Sequence, residues 1–224
     1  MNKFEELTFR GAQAIEAAAN GIDHIRLGDL IYLSADTVKT NIRIAANILG
    51  VHGYRSRIRR MMSVAIANDV LQEKDLKAPG KVFSFTMNGQ YASRGVSMAA
   101  GQHTMPKGKD RPIGTQSVSP LMRTYLSYLS FGMSIPEMLD DPSFPQPEEG
   151  FLGGKVKGDL GRERKRLGFL DTSQMIAHAA VSGIIDIPPD IPFCTLGTDD
   201  DVRPPIYYEA IDWAIDRPSY RPAA

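Results

Sequence analysis

Apolar residues recur at three- and four-residue intervals through the first third of the chain. Leu7, Ile15, Ala18 and Ala19 predict a helix over residues 5–19. Gly21 follows it, as glycine does just past a helix end. Leu27, Leu30 and Ile31 predict a short second helix. Ser34 is a good N-cap for a third, carried by Val38, Ile42, Ala45, Ala46 and Leu49 and stopped by Gly50. A fourth, over residues 56–71, has Ile58, Met61, Met62, Ala65 and Ile66 on its apolar face. The period then changes: residues 82–87 alternate as a strand does, and Asn88-Gly89 signals a two-residue hairpin turn. Residues 101–114, rich in Gly, Pro and Lys, read as a mobile linker. Helical periodicity returns over residues 118–187. The remaining residues open on Pro188-Pro189 and end in a short predicted helix over 207–215.

Charge adds a gradient that the total conceals. The 224 residues carry 26 Lys and Arg and 26 Asp and Glu, a net charge of zero. Residues 1–80 sum to +2, 81–117 to +4, 118–185 to −1 and 186–224 to −5. The acidic end, including Asp199, Asp200 and Asp201, is expected either to repel a polyanion or to occupy a basic surface of the same protein. The single Cys194 excludes an internal disulfide and a cysteine-based zinc site. His24, His52, His103 and His178 are scattered, so no metal and no cofactor is expected. The N-terminal residues do not read as a signal peptide, and no apolar run approaches the ~20 residues that a membrane helix needs. A cytoplasmic, nucleoid-associated protein without membrane contact is expected.

The most informative pattern is an internal repeat. Its first copy contains Leu7-Thr8-Phe9-Arg10, Ala19-Asn20-Gly21, then Ser34, Thr37-Val38-Lys39 and Leu49-Gly50-Val51. In this order and spacing the segment resembles the LuxR/NarL/GerE-type helix-turn-helix transcription regulators of bacteria. It departs from them at Gly11, where an acid is usual, at Gly28 in the second helix, and in about three added residues after Val51. The second copy is looser: Val118-Ser119-Pro120, Phe131-Gly132-Met133-Ser134, Glu137-Met138-Leu139, Val156-Lys157, Leu167-Gly168-Phe169, and an end over residues 179–185. Sixteen residues (140–155) stand where the first copy has nine (29–37), and the insert is rich in Pro and Gly.

The resemblance implies a mainly α protein. Residues 1–80 would form a four-helix, LuxR-like helix-turn-helix domain and 118–187 a second, degenerate one. Residues 81–117 would join them as a basic linker with a small β-hairpin, and 188–224 would form a Pro-rich acidic tail. It also implies that the third helix enters the major groove of double-stranded promoter DNA, with side chains near its N-terminus reaching the bases. Lys39, Thr40 and Arg43 share one side of that helix and are the expected base readers, Lys and Arg donating to guanine. Ser34, Thr37 and Asn41 are expected at or near the DNA backbone. In the second copy the reading positions are Lys157, Gly158 and Gly161, two of them without a side chain. That helix is either weak until DNA orders it or given over to phosphate contact by Lys155, Lys157, Arg162, Arg164, Lys165 and Arg166. For Arg55, Arg57, Arg59 and Arg60 two readings stay open: a solvated helix face, or contact with phosphate or a partner.

The expected function is sequence-specific regulation of transcription, activation favoured, with no receiver or ligand domain expected ahead of the first unit. The two copies would act as a pseudo-dimer within one chain, the helices over residues 55–71 and 172–185 pairing, or the chain would form a homodimer. The alternative is a protein with one DNA-reading unit, whose second half binds RNA polymerase or a regulatory protein. No nucleophile–base pair, acidic metal cluster or phosphate loop stands out, so the chain is not read as an enzyme.

Overall fold

The computed structural model describes residues 3–51, 56–76, 82–83, 103–104, 118–145 and 153–187. The protein is mainly helical. A 3-10 turn, Lys3–Glu6, precedes α1 (Phe9–Ala19), α2 (His24–Ile31), α3 (Ala35–Leu49) and α4 (Arg57–Ala67), with a second 3-10 turn at Glu73–Asp75. The second half adds α5 (Pro120–Ser130), α6 (Ile135–Leu139), α7 (Gly153–Leu167) and α8 (Thr172–Val181). Val82–Phe83 pairs antiparallel with His103–Thr104. The Asn88-Gly89 turn, most of the linker, the insert from 146 to 152 and the tail from 188 to 224 lie outside the described residues.

Local chemistry sets the helix ends. The first predicted helix is broken at Leu7-Thr8, because the Thr8 hydroxyl accepts the Gly11 N–H at 3.1 Å and so caps a new start. Ser34 does the same for α3, accepting from Thr37 N at 3.1 Å. The fourth helix stops at Ala67, short of the expected residue 71. Asp69 there takes a left-handed conformation (φ 58°), and the N–H groups of Val70 and Leu71 both turn back to the Ala65 carbonyl. In the second half Gly183 (φ 66°) makes the same turn, with Ile184 and Ile185 donating to the Ala179 carbonyl.

The two halves share this order and these turns. Helix lengths run 11, 8, 15 and 11 residues in the first half. They run 11, 5, 15 and 10 in the second. Gly21 and Gly132, with φ of 73° and 82°, follow α1 and α5, and Gly50 and Gly168, at 71° and 80°, end α3 and α7. α7 is a helix in spite of Gly153, Gly154, Gly158 and Gly161. Val156, Leu160 and Leu167 are buried along one side of it, and such packing offsets the ~1 kcal/mol that each interior glycine costs relative to alanine.

The halves are not separate beads. Buried residues of both, from Phe4, Leu49, Met61 and Met62 to Tyr125, Phe131, Phe144 and Ile176, belong to one hydrophobic cluster. α4 packs on α8 and on α5, and α1 packs on α8. The backbone crosses the seam as well: Ser56 N donates to Gly132 O at 3.0 Å. A smaller cluster, Ala14, Ala17, Ile22, Leu27, Leu30, Ile31 and Val38, seats α2 against α1 and α3.

Candidate nucleic-acid interface

α3 presents a polar ridge above a buried stripe. Val38, Ala45, Ala46 and Leu49 are buried; Ser34, Thr37, Lys39, Thr40, Arg43 and Asn47 are exposed, and Asn41 is half-buried. Four of the polar side chains serve the helix itself. Ser34 Oγ is the cap and lies 2.8 Å from Thr37 Oγ1. Thr40 Oγ1 donates to the Asp36 carbonyl at 3.0 Å, and Asn41 Nδ2 to that of Thr37 at 2.9 Å. Lys39 Nζ lies 3.2 Å from Asp36 Oδ1, a surface pair worth at most about 1 kcal/mol and easily exchanged for another anion. Arg43 has no hydrogen bond or ion pair among the described residues. The ridge therefore offers two exposed cations one helical turn apart.

Both glycines that depart from the resembled pattern have a packing reason. A Cβ on Gly28 would lie 2.5 Å from the Leu33 carbonyl oxygen, so the turn from α2 into α3 closes only over a bare backbone. A Cβ on Gly11 would meet Leu7 Cδ2 at 2.6 Å and Ala45 Cβ at 2.8 Å, where α1 crosses α3 closely. At the same turn Tyr32 adopts φ 56° and is 78% exposed. The sequence reading missed this residue. Its signal was a large aromatic between two apolar periods, followed directly by the next helix's cap.

The basic residues of α7 differ in what already holds them. Arg162 is paired with Asp159, and Arg166 binds Glu163 through Nε at 2.8 Å and NH2 at 2.5 Å. Arg164 is half-buried and donates to the Leu170 carbonyl at 3.1 Å, tying the end of α7 to the approach to α8. Lys155, Lys157 and Lys165 are exposed. The structure thus puts Lys155, Lys157, Arg162, Lys165 and Arg166 on the surface, the two arginines in exposed ion pairs as exchangeable as that of Lys39, and gives Arg164 a holding role.

The arginines at the start of α4 divide. Arg57 is exposed, Arg59 is half-buried and Arg60 is fully buried, so no single solvated face holds them. Arg55 lies outside the described residues. Burial lowers the Arg59 pKa, and the nearby Asp171 acts the other way; burial in turn raises the Asp171 carboxyl. His178 is half-buried against Phe169, ring centres 5.0 Å apart, and burial pushes its pKa down to about 4. Among the described residues no group of three or more His, Cys, Asp or Glu could hold a metal ion, and no helix is long and apolar enough to cross a membrane.

Comparison with known proteins gives no further guide: no family model matches the chain, and no curated protein or solved structure is detectably similar to it.

Proposed function

We propose that the protein binds double-stranded DNA in a sequence-dependent way and regulates transcription, α3 entering the major groove. The observation that carries this reading is the exposed ridge of Lys39, Thr40 and Arg43 on a capped helix seated on α1 and α2. An α-helix fits the major groove, and Lys and Arg at this spacing reach two successive base edges. The motif order of LuxR-type regulators in residues 7–51 supports the same assignment. The packing of α4 on α8 supports two helix-turn-helix units paired inside one chain. The acidic C-terminal residues favour activation through a protein contact.

Binding of the full chain to promoter fragments, selected from a random genomic pool, tests this. Replacing both Lys39 and Arg43 by Ala should abolish discrimination between selected and scrambled sites, at about 1–3 kcal/mol per lost base contact. Unchanged discrimination would refute the assignment of α3.

A second reading has its own support: Gly158 and Gly161 stand at the reading positions of α7, while Arg162 and Arg166 are engaged within the helix. On this reading the second half binds RNA polymerase or a regulatory protein. Charge reversal at Lys155 and Lys165 in the full chain would then spare DNA affinity and abolish transcriptional output.

A further inference from the structure

A cleft of about 200 Å³ lies among α4, α5, α6, α7 and α8. Arg59 of α4, Lys157 and Arg164 of α7 and Thr172, the first residue of α8, line it, with Leu129 of α5 at its apolar side. Gly161 also lines it, and a Cβ added there would meet nothing within 4 Å. The first half has Arg43 at the position matching Gly161, so the missing side chain is part of what opens the cleft.

Three cations from two helices face this small volume, and their chemistry is one-sided. Arg164 spends NH1 on the Leu170 carbonyl, while its Nε is buried without a hydrogen-bond partner among the described residues. Asp171, which caps α8, offsets one of the three charges by its attraction to Arg59 and Arg164. About two positive charges remain, with Thr172 beside them, while the amino end of α8 is already capped by the Asp171 carboxylate. Guanidinium forks match carboxylate and phosphate oxygens alike, and the excess of positive charge around one small volume favours the more highly charged phosphate.

We propose that this cleft binds a phosphate group. The group comes either from a free phosphorylated small molecule or from the backbone of a nucleic acid. Recognition uses Lys157, Arg59 and Arg164 as charge donors and Gly161 as the opening. The proposal does not depend on α3 reading bases, since it concerns a different set of residues and a ligand measurable without DNA.

Titration of the full chain with inorganic phosphate, followed by amide chemical shifts at constant ionic strength against chloride, tests it. Saturable shifts centred on Gly161 and Thr172 are expected. Lys157→Gln should weaken them about tenfold, as loss of one charge-assisted hydrogen bond does. Gly161→Leu, which fills the opening, should abolish them while far-ultraviolet circular dichroism shows the fold retained. Gly161→Ala, which favours the helix, serves as a second variant if the leucine chain does not fold, and should weaken binding through partial filling. Absence of saturable shifts, or shifts insensitive to Lys157→Gln, overturns the proposal. Adding a short duplex of random sequence separates the two sources. Competition with phosphate identifies the nucleic-acid backbone, and simultaneous binding identifies a small molecule. Loss of base discrimination in the α3 double variant with phosphate shifts intact would show that the two sites are distinct.

Discussion

The guanidinium of Arg60 lies 5.1 Å from the centre of the Phe131 ring, and both residues are fully buried. One comes from α4 and the other caps the end of α5, so a cation–π contact sits on the seam between the halves. Such a contact is worth about 2 kcal/mol or more when water is excluded. Arg60→Ala also removes a large buried side chain. We expect a loss of roughly 3 kcal/mol in urea unfolding followed by circular dichroism. The unfolding of the parent should be one transition, because the core is shared; two well-separated transitions would show that the halves melt independently.

Gly28 tests the geometry of the α2–α3 turn. Gly28→Ala places a methyl group 2.5 Å from the Leu33 carbonyl oxygen, a contact the backbone must open to accommodate. Overpacking of this kind costs about 1–3 kcal/mol, in spite of the better helix propensity of alanine. Thermal unfolding should show a lower midpoint. A raised midpoint would mean that the turn is looser than described.

His178 makes stability depend on pH. Its pKa in the folded protein, about 4, is below the ordinary histidine value of 6.5, so the unfolded chain binds its proton more readily. The folded state is therefore favoured above pH ~6.5, and that advantage is lost as pH falls toward 4, by on the order of 2–3 kcal/mol. Asp171 acts in the opposite sense, since its raised carboxyl pKa favours folding as pH falls. Comparing the parent with His178→Gln isolates the histidine. The difference in unfolding free energy between the two should shrink or reverse between pH 7 and pH 4.

The basic residues of α7 should divide by role. On the reading in which both halves bind DNA, Lys165→Ala should lower the slope of log affinity for DNA against log salt by about 1, as the loss of one phosphate contact does, whereas on the second reading the slope should not change. Arg164→Ala should in addition lower stability by about 1–2 kcal/mol, because it releases the Leu170 carbonyl. Equal effects of the two on stability would contradict the separation.

Much of the helical order was legible in the sequence, for reasons that reside in single residues. Ser34 and Gly50 bracket α3 as cap and stop, and the expected start and end hold to within a residue. Thr8 carried the same capping chemistry, but the apolar Leu7 ahead of it masked the break. The end of α4 was misjudged because Asp69 supplies the left-handed turn for which Gly183 is used in the second half. The fate of the charged residues was the least legible. Arg60, Arg59 and Arg57 stand together in the chain and diverge in burial, and only the position of α5 and α8 against α4 decides which is covered. The cleft required Arg59, Lys157 and Thr172 to converge from three helices, which no local pattern encodes.

The seam between α4 and α8 has one further consequence. In an assembly of two chains such a pairing is an equilibrium, and dilution dissolves it. Here both partners are stretches of one polypeptide sharing one core. The paired arrangement is present at any concentration, including the few copies of a scarce protein. On the proposed reading, in which the two halves bind DNA as a pair, occupancy of a target should rise with the first power of protein concentration, and the response to a change in expression should be graded rather than steep.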